Sequence, residues 1–311
     1  MSAIRIDDYG SAGSLRLDAR PLPALAPGEV LVRVHAAGVN PIDWETRAGR
    51  GVALTRFPAV LGWDVSGIVT AVGPGPVTLR VGDEVFGTVR FPHLAGGYAQ
   101  FVAAPADHLA VKPPEVPHLV AAASAMPVLT ALQTLFEDAG RPLAGSRVLI
   151  HGAAGGVGQA AVQLAKREGA TVIATASTRN HAYLLDLGAD QVVDYVHDDI
   201  RRAVPAVDLA VDPRGGEEFT RLLSVVTPGG TLVTLKGEQP GQAEQAAAHG
   251  VRAGYTYVRP DGPALAGAAE LLASGAMRTE IQRVLPLEQA GAAHELGEHG
   301  RLRGRLVLDT S

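Results

Sequence analysis

The sequence contains no cysteine. That absence excludes disulfides, thiolate zinc sites, iron–sulfur clusters and a cysteine nucleophile together. It fits a reducing compartment, and a cytoplasmic location is the expectation. Positive charge is also scarce: 27 lysines and arginines stand against 32 acids, for a net charge of −5. No basic block stands out, so the electrostatic footprint of a nucleic-acid binder is missing. No uninterrupted apolar run reaches the roughly 18 residues expected of a membrane-spanning helix. Residues 1–8 lack the apolar core of a signal peptide. Neither nucleic acid nor membrane is expected as a partner.

Glycine, proline and apolar residues are plentiful. The 311 residues are 47% hydrophobic, enough for one large core or two ordinary ones, and the length favours two domains. The 37 glycines and 21 prolines punctuate a chain of short strands and turns. Residues 30–36, 65–72, 83–89 and 98–102 read as short strands, several with period-2 alternation. Their spacing suggests a small antiparallel barrel or sandwich. From about residue 116 the texture changes. Strand candidates at 147–151, 171–176, 191–194, 207–212, 230–235 and 251–257 alternate with helices such as 157–168 and 180–187. That alternation predicts a parallel sheet with helices on both faces. The tail reads as helix 263–274, a short strand at 284–285, helix 287–298 and a last strand at 304–308.

The strand at 148–150 runs into Gly152-Ala153-Ala154-Gly155-Gly156-Val157-Gly158, and a helix follows. In the dinucleotide frame Gly-x-Gly-x-x-Gly the three positions are Ala153, Gly155 and Gly158. The first makes the tight turn, and alanine is the smallest compromise there. The second lets the backbone approach a pyrophosphate, and the third lets helix pack on strand. The helix N-terminus then offers free N–H groups and partial positive charge to phosphate. A glycine triplet alone could be a turn without a ligand; the strand before it and the helix after it supply the context for a nucleotide.

An NAD site usually carries an acid at the end of the second strand, to hold the ribose hydroxyls. Here that strand ends Thr175-Ala176-Ser177-Thr178-Arg179-Asn180. Ser177 can donate a hydrogen bond to a 2′-phosphate and Arg179 can pair with it bidentately. The alternative makes Arg179 a solvated loop residue. NADPH is therefore favoured as cofactor. Tyr195 either flanks the same phosphate or simply packs.

Alcohol oxidation needs a device that stabilises an alkoxide. No Tyr-x-x-x-Lys pair occurs, and the ten histidines are scattered. A quinone or an enone needs less help, because its conjugation carries the charge to oxygen and a few donors suffice. Conjugate reduction is thus favoured over carbonyl reduction.

At this point the chain resembles a known family, the zinc-free quinone oxidoreductase branch of the medium-chain dehydrogenase/reductases, over essentially its whole length. The matching stretches are Ala37-Gly38-Val39-Asn40-Pro41-Ile42-Asp43-Trp44, Gly62-Trp63-Asp64-Val65-Ser66-Gly67, Val81-Gly82-Asp83-Glu84-Val85-Phe86-Gly87, the glycine turn, Leu187-Gly188-Ala189-Asp190 with Val193-Asp194-Tyr195, and Arg303-Gly304-Arg305-Leu306-Val307-Leu308. The resemblance implies a Rossmann doubly wound sheet inserted in a GroES-like barrel. Residues 1–122 and 259–311 would form the catalytic domain and 123–258 the NADPH-binding domain. Zinc-dependent members carry cysteine where Asn40 stands and a His-Glu pair where Trp63-Asp64 stands, so no metal is expected. Asn40 and Asp43 would line the nicotinamide end as catalytic residues, although Asn40 could merely satisfy a turn and Asp43 cap a helix. Thr130 would contact the nicotinamide ribose. Gly155, Gly156, Val157, Gly158, Ser177, Arg179, Tyr195, Asp212, Leu235 and Arg303 complete the expected cofactor set. Two departures stand out: Pro127, expected to alter the start of the crossover helix, and Arg214, a cation at a strand end that faces either an anionic substrate or solvent. A homodimer is expected from the family.

The leading function is NADPH-dependent reduction of a quinone or α,β-unsaturated carbonyl. The alternatives are an enoyl reductase or reductive-cyclisation enzyme, and a non-catalytic NADPH-binding sensor. Enoyl-thioester reductases of this family tend to carry a tyrosine acid just after the asparagine motif, and the stretch Glu45-Thr46-Arg47-Ala48-Gly49 has none.

Overall fold

A computed structural model describes every residue except Glu238 and Arg301. The chain divides into two compact units, Met1–Leu129 with Arg259–Ser311, and Thr130–Val258.

The first unit is built on the strand Glu29–Val39. Its alternating Val30, Val32 and Val34 are buried with Val65, Val69, Val85 and Val102 in one apolar cluster. The larger sheet runs Ile281–Pro286, Arg305–Asp309, Glu29–Val39, Asp64–Val72, Glu84–Thr88 and Leu109–Val111, and Phe101–Pro105 also pairs with Glu29–Val39. The last strand is antiparallel to Glu29–Val39, with Leu306 opposite Val39 and Leu308 opposite Ala37. The end of the chain therefore completes the sheet begun at its start, as the resemblance implies. The strand expected at 98–102 begins only at Phe101. Tyr98 precedes it as a fully buried side chain.

The second unit holds a six-stranded parallel sheet. Its order is Gln191–Val193, Thr171–Thr175, Arg147–Ile150, Val207–Asp212, Val226–Thr234, Arg252–Tyr255, which is the doubly wound order. Val148, Leu149 and Ile150 are all buried in succession. Such unbroken apolar runs are what a strand covered on both faces requires. The direction of winding reverses between Arg147–Ile150 and Val207–Asp212. In open sheets of this kind, ligands bind outside the carboxyl ends of the strands at such a point.

Pro127 does not alter a helix start. The helix His118–Leu132 begins well before it, and Pro127 lies in its interior. Proline has no N–H, so the Ala123 carbonyl one turn back lacks its normal helical donor. The Nε of Arg305 supplies that hydrogen bond at 3.1 Å. Beyond Leu132 the helix widens into the π-helical turn Gln133–Asp138. Among the described residues, His118–Asp138 is the one helix long and apolar enough to cross a membrane, but 78% of its apolar window is buried, as in a core helix.

Candidate functional site

The glycine-rich turn is made by Gly152, whose φ of +62° is left-handed and suits glycine. Ala153 needs no such conformation, so alanine at the first frame position carries no backbone penalty. The Thr175 hydroxyl accepts from the Gly152 N–H at 3.1 Å and pairs with His151 Nδ1 at 2.8 Å, fixing the turn to the neighbouring strand. Burial holds the His151 pKa down at about 4, against an opposing effect of Glu218. The ring is therefore neutral at pH 7.

The two later glycines differ in kind. A Cβ on Gly158 would lie 2.5 Å from the Ala153 Cα, so helix Gly156–Arg167 can pack on the turn only with glycine there. Gly155 has φ −77°, which any residue adopts. A Cβ there would meet nothing closer than the Gly152 carbonyl oxygen at 3.5 Å. Packing within the protein gives no reason for this glycine, and the space around such a Cβ is otherwise open. Gly155 is also the N-cap, and no side chain caps the helix. The first-turn N–H groups at Gly156, Val157 and Gly158 thus lack helical acceptors and face that space with the positive end of a helix.

The neighbouring strand ends contribute the rest. Ser177 is half-buried and Arg179 exposed on the turn Thr178–Asn180. The Asn180 amide donates to the Ser177 hydroxyl at 3.3 Å. Asp194, part of a matching stretch, was given no role by the sequence reading. Its carboxylate accepts from the Thr178 N–H at 2.9 Å, from the Thr178 hydroxyl, and from the Val196 N–H at 2.8 Å. These bonds hold its pKa at about 2, the Thr178 hydroxyl contributing most. An acid thus does stand near this strand end, but its oxygens are committed to shaping the loop that presents Ser177 and Arg179. An aspartate ending a strand immediately before a turn was the signal that could have found it. Tyr195 sets its ring edge-on to His151 at 5.9 Å, which is a packing contact behind the glycine turn.

Asp212 is fully buried, and its carboxylate accepts from the Arg214 and Gly215 N–H groups. It shapes the next strand-end turn and leaves the Arg214 side chain exposed. Burial raises the Asp212 pKa. Leu235 N–H donates to the Asp212 carbonyl at 2.8 Å, tying together the ends of two strands. Thr130, also in this unit, is buried, and its carbonyl accepts from the Thr134 hydroxyl at 2.6 Å. The predicted cofactor residues of this unit, Thr130 apart, therefore gather along the carboxyl ends of its parallel strands. Arg303 belongs to the first unit, where its guanidinium pairs with Glu280 at 3.0 Å.

Asn40 and Asp43 form a second, separate constellation in the first unit. They open the helix Pro41–Arg47 as a reciprocal capping box, and the Asn40 N–H donates to Asp43 Oδ2 at 2.7 Å. Asp43 is completely buried, and its other oxygen makes no well-formed hydrogen bond. Burial raises its pKa to about 7, opposed by the Asn40 N–H and by the nearby Tyr98 hydroxyl. Tyr98 also meets His294 Nε2 at 3.2 Å, while His294 Nδ1 lies 3.4 Å from Arg47 Nη1. Arginine can only donate, so Nδ1 accepts and Nε2 carries the proton toward Tyr98. Burial holds the His294 pKa down at about 3.

The Asn40 carboxamide is held from both ends. Nδ2 donates to Asp64 Oδ2 at 2.9 Å, and Oδ1 accepts from Arg305 Nη2 at 2.7 Å. Asp64, completely buried, also accepts from the Thr88 hydroxyl at 2.7 Å and the Met126 N–H at 3.1 Å. Trp63 is buried with its indole N–H on the His93 carbonyl at 2.8 Å. Among the described residues, no group of three or more His, Asp or Glu side chains is placed to hold a metal ion.

Known proteins share this arrangement of sequence and fold. Residues 26–115 match the alcohol dehydrogenase GroES-like domain, and residues 187–308 match the zinc-binding dehydrogenase domain. The chain is 33% identical to the quinone oxidoreductase of Sus scrofa, over 99% of this chain and 97% of that protein. It is similar to the structure of the quinone oxidoreductase from Coxiella burnetii with a TM-score of 0.95 at 36% identity, covering 100% of this chain and 99% of that one. It is also similar to the Escherichia coli quinone oxidoreductase complexed with NADPH, with a TM-score of 0.88 at 26% identity and full coverage of both chains.

Proposed function

Because the chain belongs to the quinone oxidoreductases of the medium-chain dehydrogenase/reductase superfamily, we propose that it catalyses NADPH-dependent, metal-free reduction of a quinone or an α,β-unsaturated carbonyl. The observation that carries this reading is the composition of the Asn40 cluster. The positions that hold metal ligands in zinc-dependent relatives are occupied by an amide, an indole and a carboxylate already engaged by Asn40, Thr88 and the Met126 N–H. With no Lewis acid, the acceptor must spread its own developing charge, which a conjugated carbonyl does.

When bound, NADPH supplies the hydride. The chain's residues hold and orient it. The space before Gly155 and the uncapped helix behind it suit a pyrophosphate. Ser177 and Arg179 suit the 2′-phosphate, since the Asp194 carboxylate there is already engaged by Thr178 and Val196. Asn40 keeps one Nδ2–H beyond the one given to Asp64, and that donor suits the acceptor's carbonyl oxygen.

The test is steady-state oxidation of NADPH and NADH against a panel of quinones and enones, with and without a chelator. Turnover should survive chelation, and kcat/KM should favour NADPH by at least about tenfold, as expected of a charge-assisted phosphate contact. R179A should erase most of that preference without lowering the NADH rate. A preference for NADH, or a requirement for added zinc, would overturn the proposal.

A further inference from the structure

Arg305 is buried at a junction of three segments of the first unit. Its Nε donates to the Ala123 carbonyl in the helix His118–Leu132, and its Nη2 donates to Asn40 Oδ1 where Glu29–Val39 gives way to Pro41–Arg47. The same Nη2 lies 3.7 Å from Asp64 Oδ2, at the start of Asp64–Val72. A rigid planar fork can donate to two such oxygens at once, to the Ala123 carbonyl from its Nε edge and to Asn40 Oδ1 from its terminal Nη2. The Ala123 carbonyl is available because Pro127 cannot donate to it. The proline and the arginine are thus two halves of one contact.

We propose that Arg305 is a positioning residue for Asn40, a fixed cation standing among the positions that bind metal in zinc-dependent relatives. The carboxamide has an acceptor end and a donor end of nearly the same shape. Arg305 only donates and therefore claims Oδ1. The Asp64 carboxylate, surrounded by donors from Thr88 and Met126, accepts and therefore claims Nδ2. Two partners of opposite sense forbid a flipped amide. They leave one N–H in a constant direction, and the nearby guanidinium draws electron density from Oδ1 and strengthens that donor. The inference rests on the proposed role of Asn40 toward the acceptor's oxygen.

The experiment combines kinetics with the amide itself. R305K keeps a charge opposite Asp64 but cannot reach both carbonyl oxygens. At saturating NADPH it should lower kcat at least tenfold, with KM for NADPH unchanged within twofold. N40A should lower kcat similarly, and N40A/R305K should lose nothing further. Independently, the Asn40 side-chain amide protons, followed by NMR in protein labelled with ¹⁵N-asparagine, should exchange at least tenfold faster in R305K. Additive losses in the double variant would overturn the inference, because a general structural role adds. Unchanged exchange in R305K would overturn the clamp whatever N40A does. Full kcat in N40A alongside faster exchange in R305K would instead sink the reading of Asn40 and keep the clamp. If R305K does not fold, D64N/R305Q removes both buried charges together and carries the same expectations.

Discussion

The glycine turn of the second unit and the Asn40 cluster of the first solve opposite problems. At the turn the protein leaves room: a Cβ on Gly155 would meet only the Gly152 carbonyl oxygen at 3.5 Å, and no side chain caps the helix behind it. In the cluster the polar groups are largely spoken for by the protein. Asn40, Asp64, Thr88 and Arg305 form a nearly closed set of donors and acceptors. The first pattern suits a ligand held by backbone and dipole. The second marks a few side chains whose directions must not vary. A buried charge pair of this kind is weak as a source of stability, but removing one partner is costly. Its use is geometric.

The comparison can first be pressed with acid, where the largest effect is expected. Burial depresses the His294 pKa to about 3 from an ordinary 6.5. The unfolded chain then takes up a proton first as pH falls. The stability that depends on neutral His294 is complete above pH 6.5 and is lost as pH falls toward 3. At pH 5 this amounts to about 2 kcal/mol, at roughly 1.4 kcal/mol per pH unit. His118 and His151, both held near 4 by burial, act in the same direction. Asp43, raised to about 7, acts oppositely: its contribution is present below pH 3.8 and lost as pH rises through 7. Urea unfolding at pH 7 and pH 5 should show a net loss at the lower pH. H294Q should lose about 2 kcal/mol less between the two. Equal losses in both proteins would mean that the closed cluster is not what acid attacks.

The two glycines sharpen the contrast inside the turn. G158A forces a Cβ to within 2.5 Å of backbone, an overpacking worth about 1–3 kcal/mol, and NADPH binding should fall with it. G155A meets no protein atom closer than the Gly152 carbonyl oxygen at 3.5 Å, an ordinary contact, so stability should stay within about 0.5 kcal/mol while NADPH affinity drops at least tenfold. Thermal unfolding and a fluorescence titration separate the two. If both variants lost stability alike, the space at Gly155 would belong to the fold and not to a ligand.

The two regions also differ in how far the sequence disclosed them. The turn was legible because its parts are consecutive: strand, glycines and helix follow one another within residues 148–167. The parallel sheet was legible for the same reason, its strands and helices alternating at a regular interval. The cluster was only half legible. Asn40 and Asp43 fall in one short motif, but their partners Asp64, Tyr98, His294 and Arg305 come from segments far apart in the chain. No local period links residue 40 to residue 305. Pro127 shows the same limit. It read as a disturbance of a helix start, whereas the carbonyl it strands and the guanidinium that answers it meet only in the folded unit.

The smallest effect expected tests whether the missing first glycine matters. The dinucleotide frame asks for glycine where Ala153 stands, because that position usually makes the tight turn. Here the left-handed residue is Gly152, and Ala153 is fully buried without a positive φ. Replacing it by glycine gains no conformation that the turn uses. It loses a buried methyl group, worth about 0.8 kcal/mol, and gives the unfolded chain more freedom. A153G should therefore destabilise the protein by about 1 kcal/mol and leave NADPH affinity within twofold. Tighter NADPH binding in A153G would show that the alanine does constrain the pyrophosphate. The open turn would then be a compromised site, and the contrast with the closed cluster would lose its sharpest edge.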